Sequence, residues 1–248
     1  MNKHFFKAKI SSKKIINGEL CLIRLSVDGW KGHIPGQYME ICLTAQNGYK
    51  AYRPYSIASK PNNKYIEILI ERIPEGEVST YFYDISDIGD ELLVSKPLGQ
   101  FFVLPVIDKN VILIAGGSGV APFMSMIKNR YSNKKFQLTL FHWSKNFSGL
   151  IDYDVLINQN QKINYYPYIT KEVPDDWSRG TGRINKKTFE KLNNNLYYKI
   201  FICGSDSFVE NVNGIIKETF PSREILNERF GESSKIESCR ELIYKNKG

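Results

Sequence analysis

The sequence predicts a two-domain chain, an antiparallel all-β domain followed by an α/β domain with a parallel sheet. Three observations predict it. Short alternating or β-branched stretches separated by turn signals fill the first hundred residues. Strand-like and helix-like patterns alternate beyond Asp108-Lys109-Asn110. The length of 248 residues suits two domains of about 100–150 residues each. A hydrophobic share of 42% supplies a core, and a charged share of 24% is ordinary for a globular chain.

In the first region, Cys21, Ile23, Leu25 and Val27 alternate with less apolar neighbours, the period of a half-buried strand. Gly36–Leu43, Lys64–Ile70 and Gly89–Lys96 are further strand candidates. Asn17-Gly18, Asp28-Gly29, Asn47-Gly48 and Pro61-Asn62-Asn63 are the turns between them. Strands at this spacing suit a barrel or a sandwich. Ser79–Ile85 is the one segment expected to form a short helix. The boundary falls near residue 105, giving domains over 1–105 and 106–231 and a tail over 232–248.

In the second region, Val111–Ala115, Phe136–Phe141, Ile163–Ile169 and Ile200–Cys203 read as strands. Phe123, Met126, Ile127 and Arg130 fit one side of a helix. Phe208, Val212, Ile215 and Ile216 recur at helical spacing in another. This alternation argues for parallel strands joined by crossover helices. No internal repeat is visible.

The net charge is +8, so the surface suits anionic ligands or partners. The cations are scattered in pairs such as Lys13-Lys14, Lys134-Lys135 and Lys186-Lys187, which also read as an ordinary solvated surface. No run of the nucleic-acid-binding type occurs. The four cysteines, Cys21, Cys42, Cys203 and Cys239, contain no C-x-x-C pair, which disfavours zinc ribbons, plant-type iron–sulfur loops and a disulfide framework. His4, His33 and His142 are isolated, so no metal site is read. The start, MNKHFFKAKI, has no signal-peptide core, and the longest apolar run, Val111–Ala115, is far below the roughly 20 residues of a membrane span. A cytoplasmic location without membrane insertion is expected.

Three segments carry chemistry. Ala115-Gly116-Gly117-Ser118-Gly119-Val120-Ala121-Pro122 follows a buried strand and opens a helix. Glycines there let backbone approach a phosphate, and a helix N-terminus offers N–H groups to a pyrophosphate. Pro122 suits a first helical turn, where its missing N–H costs little. It also replaces the third glycine of the ordinary dinucleotide fingerprint. A plain strand-to-helix turn fits the same residues. Arg53-Pro54-Tyr55-Ser56 offers a guanidinium for phosphates, a flat ring for stacking and a hydroxyl for a ring nitrogen. Strand packing explains that tetrapeptide equally. Gly76-Glu77-Val78-Ser79 opens the short helix of the β region and could hold a phosphate or simply cap a surface helix.

Together and in this order, R-x-Y-S, G-x-x-S, G-x-G-x-x-P, Cys203-Gly204 and Glu228-Arg229-Phe230-Gly231 resemble the ferredoxin–NADP reductase superfamily. The likeness extends from Ile34-Pro35-Gly36-Gln37-Tyr38 to Gly231. It implies a flavin-binding antiparallel β-barrel followed by a Rossmann-like nicotinamide domain. It implies FAD rather than FMN as the flavin, with NADPH or NADH as co-substrate. By the same likeness, Arg53 pairs with flavin phosphates, Tyr55 lies against the isoalloxazine, Ser56 hydrogen-bonds near N5, and Pro54 is counted with them as cofactor-binding. Gly76, Val78 and Ser79 take the pyrophosphate. Gly117, Ser118, Gly119 and Pro122 receive the nicotinamide dinucleotide, and Cys203-Gly204 stands beside nicotinamide C4. Ser56, Tyr55, Cys203 and Glu228 are the implied catalytic set, with Phe230 beside the flavin. Phe208 departs from the methionine of many members and is expected to serve packing. Lys145, Thr170 and Lys171 stand where relatives bind a 2′-phosphate, with no acid in their place, which leans to NADPH.

The activity so implied is hydride transfer from NAD(P)H to FAD, then electron delivery to an acidic acceptor protein such as ferredoxin, flavodoxin or an oxygenase component. Alternatives are reduction of free flavin, ferric chelates or quinones, a non-catalytic dinucleotide-binding module, and an electron-transfer subunit of a larger complex. The tail has one cysteine and cannot be an appended iron–sulfur domain.

Overall fold

Period-two burial builds the first sheet, because alternate residues of an extended chain face opposite sides. The computed structural model describes residues 5–61, 64–101, 110–129, 137–158, 163–192, 196–220 and 223–230. Contacts divide the chain into two units, Met1–Pro105 with Ala121–Asn133, and Val106–Val120 with Lys134–Gly248. The expected boundary at 105, the expected start of a strand at Phe136, Arg130, Gly231, Cys239 and the tail lie outside the described residues.

The first unit has six antiparallel strands: β1 (Phe5–Ile15), β2 (Leu20–Val27), β3 (Tyr38–Thr44), β4 (Lys50–Ser56), β5 (Ile66–Glu71) and β6 (Glu91–Ser95). Their order is β4-β3-β6-β1-β2-β5. The sheet curls until its ends meet, with a bridge between Ile57 and Ile68 and a 2.8 Å bond from Ala58 N to Glu67 O. This is a barrel, not a sandwich. Its core joins Ile10, Ile23, Leu25, Met39, Ile41, Ile66, Ile68 and Phe82. Pro54 lies on the end strand of the hydrogen-bonded order, where a missing N–H is tolerated. The Asn17-Gly18 turn closes the β1–β2 hairpin, with Asn17 Oδ1 accepting from the Glu19 and Leu20 nitrogens at 2.9 Å.

Between β5 and β6, helix α1 (Glu77–Thr80) starts at extended Gly76 and runs into a wider turn over Tyr81–Ile85. The helix expected over Ser79–Ile85 is therefore a short α segment followed by a π turn, which carries Phe82 into the core.

Helix α2 (Ala121–Lys128) belongs to this unit by its contacts. One helical side was expected to be buried. Instead every residue from Ala121 to Ile127 is buried. Ser125 Oγ donates to Ser59 O at 2.7 Å, Phe123 packs on Phe101 with centroids 5.8 Å apart, and Lys128 Nζ lies 3.2 Å from Glu67 Oε2. The Glu67 side chain, 8% exposed, also takes Arg24 Nη2 at 2.8 Å. Burial works to raise its pKa, but the hydrogen bond from Arg24 and the charge of Lys128 outweigh that and hold it low.

The second unit holds β7 (Asn110–Gly116), β8 (Gln137–Asn146), β9 (Ile163–Glu172), β10 (Gly180–Thr181), β11 (Lys199–Ser205) and β12 (Glu224–Phe230). All pair in parallel, in the order β10-β9-β8-β7-β11-β12. Val111–Ala115 and Ile200–Cys203 are buried throughout, as strands covered on both faces must be. The chain walks outward from β7 to β10, then returns to place β11 on the other side of β7. That reversal makes a topological switch point between β7 and β11, where ligands of open α/β sheets bind. Helix α3 (Tyr153–Asn158) follows β8. Helix α4 (Asp206–Thr219) packs Val209, Val212 and Ile216 onto Ile114, Phe141, Ile200 and Ile202. Ser205 caps α4, its Oγ accepting from Phe208 N at 3.4 Å.

Candidate cofactor-binding site

In the first unit, β4 presents Arg53, Pro54, Tyr55 and Ser56 opposite Ile41, Glu40, Met39 and Tyr38 of β3. Strand and helical turn are brought together by two contacts. Tyr55 meets Phe82 edge to face, centroids 6.1 Å apart and planes at 85°. Arg53 Nη2 lies 3.7 Å from Glu77 Oε2, while Arg53 Nη1 donates to Tyr52 O at 2.7 Å. Tyr49 OH also donates to the Glu77 carboxylate, at 3.2 and 3.3 Å. Burial raises the Tyr55 hydroxyl pKa, so its phenol stays protonated. Ser56 is buried.

The first intrahelical bond of α1 runs from Thr80 N to Gly76 O at 2.8 Å, so the preceding N–H groups of Glu77, Val78 and Ser79 have no such partner. A Cβ at Gly76 would stand 2.5 Å from Ser79 Oγ and 3.0 Å from Ile73 O. Gly76 is therefore packed against its own turn, and the N–H groups that open the helix are the part of it suited to a phosphate. The Ser79 hydroxyl is occupied within it, donating to Gly76 O at 3.1 Å and accepting from Ile73 N at 3.2 Å. Ser79 shapes the turn with its hydroxyl, and Val78 anchors it in the core.

In the second unit, the turn Gly117–Val120 leaves the end of β7 at the switch point. Gly117 has φ +56°, a left-handed conformation that suits glycine. A Cβ at Gly119 would stand 2.3 Å from Cys203 O, so the turn lies directly on the end of β11. Cys203 pairs with Ala115 on one side and Glu228 on the other, and Ser205 pairs with Phe230. The geometry thus unites Gly117, Ser118, Gly119, Cys203, Gly204, Glu228 and Phe230 at the carboxyl ends of β7, β11 and β12. The Cys203 thiol is fully buried, and burial together with the Glu228 charge raises its pKa, so it is neutral and no nucleophile. The Phe208 ring lies over two glycines. A Cβ at Gly116 or Gly204 would come within 2.8 or 2.7 Å of it. The packing role expected for Phe208 is what it performs.

Lys145 and Lys171 extend from the ends of β8 and β9, and Thr170 Oγ1 donates to Ser144 O at 3.1 Å. Pro122 is in the first turn of α2, which clusters with the first unit. Glu77, which pairs with Arg53, is a site residue beyond those expected from the sequence. Glu172, beside Lys171, accepts from Asn146 Nδ2 at 3.1 Å, and His142 has partners in Gly117 and Tyr165; neither was expected from the sequence. An acid two dozen residues from Arg53 carries no local signal of that pairing. Among the described residues no group of three His, Cys, Asp or Glu could hold a metal, and no helix is long and apolar enough to cross a membrane.

Residues 7–103 match the oxidoreductase FAD-binding domain, and residues 113–214 match the oxidoreductase NAD-binding domain. The chain is 27% identical to the phenol hydroxylase P5 protein of Acinetobacter pittii, over 91% of this chain and 65% of that one. It is 29% identical to flavohemoprotein A of Dictyostelium discoideum, over 82% of this chain and 54% of that one. The chain thus spans about half to two-thirds of the length of these curated relatives. The crystal structure of a ferredoxin NADP+ reductase from Neisseria gonorrhoeae, with bound FAD and NADP, superposes with a TM-score of 0.78 at 22% identity, covering 91% of this chain and 98% of that one. With an FAD-binding β-barrel and an NAD-binding parallel sheet in one polypeptide, the chain belongs to the ferredoxin-reductase-type family of FAD- and NAD-binding oxidoreductases.

Proposed function

We propose that this protein is an NAD(P)H-dependent flavoprotein reductase that delivers electrons to an acidic acceptor protein, such as a ferredoxin, a flavodoxin or an oxygenase component. One observation carries it: a single chain joins a barrel in an FAD-binding domain, where N–H groups at the start of α1 have no intrahelical partner, to a parallel sheet in an NAD-binding domain with a glycine turn at its switch point. The chemistry supplied by FAD when bound is acceptance of a hydride's two electrons and their release one at a time.

The chain's own residues bind and orient. Arg53 exchanges Glu77 for flavin phosphates, and the N–H groups that open α1 support the pyrophosphate. Tyr55 offers a ring held at a fixed angle by Phe82. Ser56 supplies a hydroxyl near the flavin nitrogen that receives hydride. The Gly117–Val120 turn receives the nicotinamide dinucleotide, and the neutral Cys203 thiol and Glu228 line the reacting edge. Lys145, Thr170 and Lys171 favour the 2′-phosphate of NADPH. The +8 net charge favours an acidic partner, and the likeness to a phenol hydroxylase component supports an oxygenase as its destination.

Anaerobic titration of the FAD-loaded protein with NADPH and NADH tests the reading, followed by a panel of acidic ferredoxin, flavodoxin, free flavin, ferric chelate and quinone. Bleaching by NADPH at lower concentration than by NADH, with turnover on an acidic protein, is expected. Yellow protein that neither coenzyme bleaches would sink the proposal.

A further inference from the structure

His142 is a buried titratable residue that the mechanism above does not use. It sits on β8 between Ala115 of β7 and Pro167 of β9, and it has no exposed surface. Its Nε2 is 3.3 Å from Gly117 O, and its Nδ1 is 3.5 Å from the Tyr165 hydroxyl. A carbonyl only accepts, so Nε2 carries the proton and donates to Gly117. Nδ1 is then the acceptor and takes the Tyr165 hydroxyl proton. Burial keeps the ring neutral, with its pKa pushed down to about 4.

The peptide that receives this bond is the first of the glycine turn. A trans peptide holds its N–H opposite its C=O. Anchoring Gly117 O on the ring therefore points the Ser118 N–H away from His142. Gly117 has φ +56°, and a glycine has backbone alternatives close in energy, so its peptide plane is easily turned. The bond removes that freedom.

We propose that His142 is a positioning residue for the nicotinamide dinucleotide, holding the Gly117–Ser118 peptide in the orientation that pyrophosphate recognition requires, with Tyr165 fixing its tautomer. This rests on the coenzyme-binding role assigned to the turn.

The test compares His142→Leu, His142→Gln and Tyr165→Phe. Glutamine places an amide N–H about where Nε2 stands; leucine leaves Gly117 O without its donor. NADP+ affinity is read by tryptophan fluorescence, and FAD affinity by flavin fluorescence. Amide exchange at Ser118 and Gly119 is read by mass spectrometry. For His142→Leu we expect NADP+ to bind about tenfold more weakly. FAD affinity should be unchanged, and exchange in the turn should be faster while β7 stays protected. His142→Gln should recover most of both losses, and Tyr165→Phe should fall between. Wild-type affinity and exchange in His142→Leu would overturn the proposal. So would a His142→Gln protein as impaired as the leucine variant, since packing alone would then explain the loss. If the wild type binds neither NADP+ nor NADH, the functional reading fails separately, and the exchange comparison still decides whether His142 orders the turn.

Discussion

Substituting Gly119 by alanine puts a methyl group 2.3 Å from Cys203 O, 2.6 Å from its carbonyl carbon and 2.8 Å from Gly204 N. All three are main-chain atoms at the end of β11, so no side-chain rotation relieves them. The Gly119 backbone is outside the left-handed region, so the penalty is one of space alone. The turn must retreat by roughly 1 Å to reach ordinary contact distances. Overpacking of this kind costs about 1–3 kcal/mol. Against a reaction that needs aligned atoms, a 1 Å displacement lowers the rate on the order of a hundredfold. In anaerobic stopped-flow we expect the NADPH Kd to rise about tenfold, equivalent to about 1.4 kcal/mol, and the saturating rate of flavin reduction to fall as well. FAD content stays at the wild-type level, because Arg53–Ser56 and Gly76–Ser79 belong to the other unit. A variant with wild-type Kd and wild-type saturating rate would refute the reasoning.

Arg53→Ala removes the proposed phosphate clamp and should weaken FAD by about ten- to a hundredfold, the range for a charge-assisted bond. Glu77→Gln frees Arg53 from its anion and should tighten FAD, by at most about fivefold because the pair is largely exposed. Fluorescence titration of the apoprotein measures both, and a shift of the same sign in the two variants would refute the competition. Ser56→Ala should slow flavin reduction more than it weakens FAD; equal stopped-flow rates in mutant and wild type would remove Ser56 from the reacting edge. Burial lowers the pKa of His33 and of His142 to about 4. The unfolded chain takes up protons near pH 6.5 that the folded chain refuses, so stability falls as pH drops from about 6.5 towards 4. His142 alone contributes on the order of 3 kcal/mol to that fall. Glu67, held low by Arg24 and Lys128, adds a loss at still lower pH. Urea midpoints that stay level between pH 7 and 4.5 would contradict this.

Much of the fold was legible because burial enforces pattern. The strands expected from Cys21–Val27, Gly36–Leu43, Lys64–Ile70 and Val111–Ala115 form within a few residues of those limits. β1 was missed because lysines and serines interrupt its apolar side. Only Arg53–Ser56 of β4 stands out in the sequence, because Arg53, Pro54 and the exposed Tyr52 break its apolar alternation. β12 was missed because Glu224, Asn227, Glu228 and Arg229 dominate its sequence. The segments of the candidate site stand out through short local motifs, glycine spacing at Gly76 and Gly117–Gly119 and the tetrapeptide Arg53–Ser56. What holds those segments does not: Glu77 on Arg53, Cys203 beneath Gly119 and His142 behind Gly117 are partners from distant parts of the chain. Helix α2 shows the same limit, since its all-round burial arises from Ser59, Glu67 and Phe101, which periodicity within the helix cannot reveal.

The ring of Phe208, seated on Gly116 and Gly204, ties the fates of three positions together. Neither glycine can gain a methyl group while the ring stays, and a smaller residue at 208 leaves a hollow against Trp143, whose indole lies 6.0 Å away. Lineages descending from this chain must therefore trade bulk between helix and strand ends in paired steps. A designer who wants a roomier mouth at the switch point should trim residue 208 and leave both glycines alone.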